Sequence, residues 1–102
     1  MMDMPPAFRN LLMMFHQDIF ILYSNDDEVA EQAIGSVIRN DAPAVRAFLD
    51  ELTSGRYSPQ ELETFWREAP TDVFIQNGEA AAALFRLLRD KLDVRFPPTA
   101  TG

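Results

Sequence analysis

Ser58-Pro59-Gln60-Glu61-Leu62-Glu63-Thr64-Phe65-Trp66-Arg67-Glu68-Ala69-Pro70 is the stretch that decides the fold class. Ser58 followed three residues later by Glu61 is a capping box, in which hydroxyl and carboxylate each take a backbone amide that the first helical turn leaves unsatisfied. Pro59 falls at the first helical position, where its fixed φ suits a helix and its missing N–H costs nothing. Leu62, Phe65, Trp66 and Ala69 recur at intervals of three and four, which lines them up on one face and marks Trp66 as a core residue. Pro70 cannot extend the hydrogen-bond ladder and closes the segment.

The same grammar holds on both sides. Towards the C-terminus, Val73-Phe74-Ile75 reads as an extended connector. Asn77 and Gly78 open a last helix with Ala81, Leu84, Phe85, Leu88 and Leu92 inside, and Phe96-Pro97-Pro98 and the polar tail after it are expected to fray. Towards the N-terminus, Gly55 supplies a left-handed stop to a helix carrying Val45, Phe48, Leu49 and Leu52. Asn40-Asp41-Ala42-Pro43 caps that helix and closes the one before it, whose stripe is Val29, Ala30, Ala33, Ile34, Val37 and Ile38. That helix takes Ser24 or Asn25 as its cap. The first helix starts at Pro5-Pro6, runs through Phe8, Leu11, Leu12 and Phe15, and continues into Ile19-Phe20-Ile21-Leu22, apolar on every side. Met13 and Met14 are adjacent, so at least one of them leaves the inner stripe. The expected architecture is all-α, a small bundle of about five amphipathic helices, with residues 1–102 as one domain and residues 1–5 and 97–102 as frayed tails.

Composition narrows the function classes. A chain of 102 residues, 47% of them hydrophobic, supports one modest core. Its apolar runs are too short to span a bilayer, and Met1-Met2-Asp3-Met4 lacks the basic start of a secretory signal. A cytoplasmic protein without membrane association is therefore expected. Cysteine is absent, which removes disulfides, thiolate metal sites and a cysteine nucleophile. The net charge of −7 repels a phosphate backbone and makes a direct nucleic-acid partner an unfavourable reading. The same charge favours encounter with a basic partner, although acidity also serves solubility alone.

Residues capable of chemistry are sparse. His16 is the single histidine, two residues from Asp18, and lacks the further nitrogen or sulfur ligands that catalytic zinc uses. A local hydrogen-bond cluster is the expected role of the pair. His16 is the only base of its type and the serines are read as having no histidine-based triad to join, and the glycines are scattered singly instead of forming a phosphate loop. No cofactor, metal site or enzymatic activity is expected. Asp26, Asp27 and Glu28, with Glu31 one turn on, form the densest acidic cluster, and from Asp18 to Glu31 five acids occur with no base. Acids in a first turn suit the helix dipole, but three in a row exceed what the dipole needs, so helix electrostatics and a binding face both remain open. Asp26, Asp27, Glu28 and Glu31, with Asp18 and Tyr23, are the candidate partner-binding residues.

The run Phe15-His16-Gln17-Asp18, after a Leu11-Leu12 helix and before an acidic turn into Glu28-Val29-Ala30, resembles a family of immunity proteins from contact-dependent growth-inhibition systems of Gram-negative bacteria. Arg46-Ala47-Phe48-Leu49-Asp50-Glu51-Leu52, Ser58-Pro59-Gln60-Glu61-Leu62 and a last helix ending near Leu92 extend the similarity over Leu11 to Leu92. The resemblance implies a cytosolic protein that neutralises the C-terminal toxin domain of a large exoprotein delivered by a neighbouring cell. Many such toxins are nucleases, often directed at transfer RNA. Phe15 is expected in the core, and His16 and Asp18 in structural roles. A generic acidic helical adaptor or regulatory module is the alternative that the residues themselves allow.

Overall fold

A computed structural model describes residues 4–15, 25–69, 71 and 76–97. Among them five α-helices occur: α1 Pro6–Leu12, α2 Asp26–Gly35, α3 Ala42–Leu52, α4 Pro59–Glu68 and α5 Gly78–Arg95, with a 3₁₀ turn at Arg39–Asp41 between α2 and α3. No strand occurs among the described residues, and the fold is all-α. Val73-Phe74-Ile75 and the Ile19–Leu22 run lie outside the described residues.

The helix starts follow the local signals. Ser58 and Glu61 form the complete capping box: Ser58 Oγ accepts from the Glu61 amide at 3.2 Å, and the Ser58 amide donates to Glu61 Oε1 at 2.9 Å. Asn77 Oδ1 accepts from the Ala80 amide at 2.8 Å, and Asn25, not Ser24, caps α2 by accepting from the Glu28 amide at 2.9 Å. The expected Asp41 cap is absent. The 3₁₀ turn does its work, because the Asp41 and Ala42 amides both donate to the Ile38 carbonyl, and Pro43 in the first turn has no N–H to satisfy.

The helix ends depart further from expectation. α2 stops at Gly35, short of Val37 and Ile38: Ser36 donates both its amide and its hydroxyl to the Ala33 carbonyl, and the Val37 amide turns to Ile34. A glycine followed by a serine that competes for the carbonyl is a poor continuation. Val37 still reaches the core, but Ile38 is 60% exposed. α1 closes through i→i−3 bonds from Met14 to Leu11 and from Phe15 to Leu12, the tightening common at helix ends. This puts Met13 outside and packs Met14 against the core. α5 runs one turn beyond Leu92, and Phe96 does not fray: its carbonyl accepts from Arg46 Nη2 at 2.6 Å and its ring packs on the core.

Helix α5 is the hub, touching α2, α3 and α4, while α1 lies across α3 and α2. An aromatic chain joins the layers. Phe8 meets Phe48 at 4.6 Å between ring centroids, Phe48 meets Phe65 at 5.7 Å, and Trp66 bridges Phe85 at 5.9 Å and Phe15 at 5.3 Å. Phe15 is fully buried, as expected. The N-termini of α4 and α5 also come together: a Cβ added at Gly78 would overlap the Pro59 carbonyl, so only glycine fits that crossing.

Candidate partner-binding surface

Helix α2 buries Val29, Ala30, Ala33 and Ile34, and this determines where its acids go. On a 3.6-residue helix, Asp27 and Glu31 share one flank, Glu28 stands opposite the buried stripe, and Asp26 sits at the N-terminal end. All four are exposed. Helix α5 lies along the flank with Asp27 and Glu31 and offers Lys91 and Arg95, themselves four residues apart, as a matching row.

The rows engage at one end. Lys91 Nζ donates to Asp27 at 2.9 Å. That hydrogen bond, reinforced by the charges of Asp27 and Glu31 and opposed by partial burial, holds the Lys91 ammonium above its usual pKa of 10.5. Further along, Glu31, Ile34, Lys91, Val94 and Arg95 line a shallow groove of about 310 Å³. Val94 is 80% exposed there. The cluster that reads as uniformly unpaired in sequence is thus divided. Asp27 and Glu31 face cations of α5, Glu28 stands on the side away from the buried stripe, and Asp26 sits exposed at the N-terminal end.

The remaining candidates, Asp18 and Tyr23, lie outside the described residues, as does His16. Lys91, Val94 and Arg95 are the surface residues that sequence reasoning missed. Their i, i+4 and i, i+3 spacing on the outer side of α5 is visible, but its meaning depends on α2 being the neighbour.

Elsewhere charged side chains pair both between α3 and α5 and within single helices. Arg89 pairs with Asp50 across α5 and α3, Arg67 with Glu63 within α4, and Tyr57 donates to Glu51 at 3.2 Å. Burial, followed by that hydrogen bond to Glu51, pushes the Tyr57 phenol above 10.0. Among the described residues no group of three or more acidic or histidine side chains is placed to hold a metal ion, and no helix is long and apolar enough to cross a membrane. Comparison with protein-family models, with curated proteins and with solved structures finds no match to the chain.

Proposed function

We propose that the chain is an immunity protein that binds and neutralises the C-terminal toxin domain of a contact-dependent growth-inhibition exoprotein, with a basic nuclease as the expected toxin. The observation that carries the reading is the first turn of α2. It presents Asp26, Asp27 and Glu28 on a capped helix packed against the hub of the bundle, with Glu31 one turn on. The backbone that carries these carboxylates is already ordered, so little backbone entropy is lost on binding. A nuclease needs a basic groove for its phosphates, and a rigid acidic helix end is complementary to such a groove. The resemblance carried by Phe15-His16-Gln17-Asp18 supplies the biological setting. The protein then acts stoichiometrically in the cytoplasm, by occlusion, without a cofactor.

The test is the association rate with the toxin domain encoded directly upstream, measured by stopped flow across a salt series. Steering by exposed charges weakens beyond a Debye length of about 8 Å at physiological salt, so the rate should fall steeply as salt rises. Asp26→Lys with Glu28→Lys should slow association about ten-fold and weaken protection of cells. Glu68→Lys with Asp90→Lys, reversing exposed acids on α4 and α5, is the matched control. Glu61 is unsuitable for that purpose because it closes the capping box. Unchanged association in the α2 variant, with loss in the control, would move the contact surface off α2. An upstream toxin domain that neither binds nor is inhibited would favour the adaptor reading.

A further inference from the structure

At the opposite end of α2 the surface changes sign. The 3₁₀ turn, the start of α3 and the end of α5 enclose a groove of about 480 Å³. Arg39, Arg46 and Arg95 rim it, and Ala42, Pro43 and Phe96 supply an apolar floor continued by Pro97. Three guanidinium groups around one groove stand out in a chain of net charge −7. We infer that this groove is an anion site that takes a carboxylate side chain from an acidic segment of a protein partner.

The three arginines have different duties. Arg46 is half-buried and committed, with Nη1 on Asp93 and Nη2 on the Phe96 carbonyl, so it fixes the wall of the groove and its charge is balanced. Arg39 is exposed and makes no ion pair among the described residues. Arg95 likewise makes none there, and its guanidinium lies over the Phe96 ring, 5.4 Å from the centroid. Stacking limits the side chain's freedom and leaves the planar fork of donors available, the arrangement that suits bidentate capture of a carboxylate. The start of α3 adds to the field: Ala42 and Pro43 lie in its first turn, and Asp41 makes no side-chain cap bond there.

Charge distribution selects the occupant. Arg95 also borders the groove that holds Glu31, and the acidic turn of α2 lies beyond it. A nucleic-acid backbone laid across the cationic groove would run on into that acidic surface and be repelled. A single carboxylate, or a short acidic segment with an apolar neighbour for the Phe96–Pro43 floor, meets only the cationic part. Arginine beside an aromatic ring, as Arg95 lies on Phe96, is a composition common at binding interfaces. This chemistry does not depend on whether the partner is a toxin.

The probe is the blocked tetrapeptide acetyl-Glu-Phe-Asp-Leu-amide, added at millimolar concentration to the isotope-labelled full chain and followed by NMR through backbone amides and arginine Nε–Hε signals. Shifts should concentrate on Arg39, Arg95 and Phe96. The amide counterpart, acetyl-Gln-Phe-Asn-Leu-amide, and the Arg39→Gln and Arg95→Gln variants should each weaken the effect by roughly two- to five-fold, in line with about 0.5–1 kcal/mol for an exposed charged pair. Both arginines are exposed, so the variants should keep their helices, with circular dichroism as the check. Three results would overturn the assignment: equal shifts with the neutral peptide, which make the groove merely apolar; equal shifts with inorganic phosphate, which make it a simple anion site; or no localised shift with the acidic peptide.

Discussion

Three glycines in this chain should respond to alanine with different signs. At Gly78, in the first turn of α5, a Cβ would overlap the carbonyl group of Pro59 at the start of α4. Backbone cannot rotate aside as a side chain can, so the two helix starts must separate. Overpacking of this kind costs about 1–3 kcal/mol. The helix-propensity gain of alanine over glycine offsets at most about 1 kcal/mol, and less at the first helical residue. A net loss of about 1–2 kcal/mol is therefore expected for Gly78→Ala. At Gly35, in the last turn of α2, nothing lies within 4 Å of the added Cβ and φ is not left-handed. Gly35→Ala should stabilise by about 0.5–1 kcal/mol. Gly55 is also open, but its φ of 92° is left-handed, so Gly55→Ala should cost about 1–2 kcal/mol through the backbone alone. Urea unfolding followed by circular dichroism reads all three. With a slope of about 1–3 kcal/mol per molar urea for a domain of this size, the Gly78 midpoint should drop by about 1 M and the Gly35 midpoint should rise by about half that. A Gly78→Ala protein as stable as the parent would refute the close approach of α4 to α5, and with it the packing derived for the hub.

Two further outcomes follow from the core and from the hydrogen-bonded Lys91 and Tyr57 side chains. Trp66, 1% exposed and set between Phe15 and Phe85, should emit as a buried indole, and Trp66→Ala should cost about 3–5 kcal/mol, much of the total stability of a small domain; a water-like spectrum of the folded protein would misplace α4. Lys91 and Tyr57 both have folded pKa values raised above 10.5 and 10.0. Their stabilising contributions are complete below those values and disappear as pH rises through the higher folded ones, so thermal stability should fall on the alkaline side. Lys91→Gln with Tyr57→Phe should flatten that fall, and an equally steep decline in the double variant would contradict the role given to the Asp27 and Glu51 partners.

What could be read from the sequence was local, and the reason is physical. A cap is a bond between residues three apart, so Ser58 with Glu61, Asn77 before Ala80 and Asn25 before Glu28 carry their signal in a few letters. The buried stripes of α3, α4 and α5 are equally legible, because 3.6-residue periodicity is a property of one helix at a time. The end of α2 was less so. Val37 and Ile38 continue the apolar period, and the Gly35-Ser36 pair that breaks it acts through one hydroxyl taking one carbonyl. Phe96 departs from expectation for a different reason. Phe96 is held by Arg46, 50 residues away, and no window on the C-terminus contains that information.

The acidic turn combines the two kinds of evidence. Its position at a helix start is local, and was read correctly. Its state of pairing is not local, because Lys91 reaches Asp27 across 64 residues of chain. An exposed ion pair of this type is worth little in stability, about 0.2–1 kcal/mol, yet it reduces the charge that Asp27 presents to a partner. Asp27 enters any encounter already compensated by Lys91, and Asp26 and Glu28 add exposed negative charge at the start of α2. On the same surface the cations Arg39 and Arg95 stand beyond Glu31, so the face is dipolar instead of uniformly acidic. A dipolar face orients its partner as well as attracting it, because a basic groove docked on the α2 turn can gain a second contact only if its own acidic group falls over the arginines. Specificity on this surface should therefore reside in the spacing between the two ends, and net charge alone should predict it poorly.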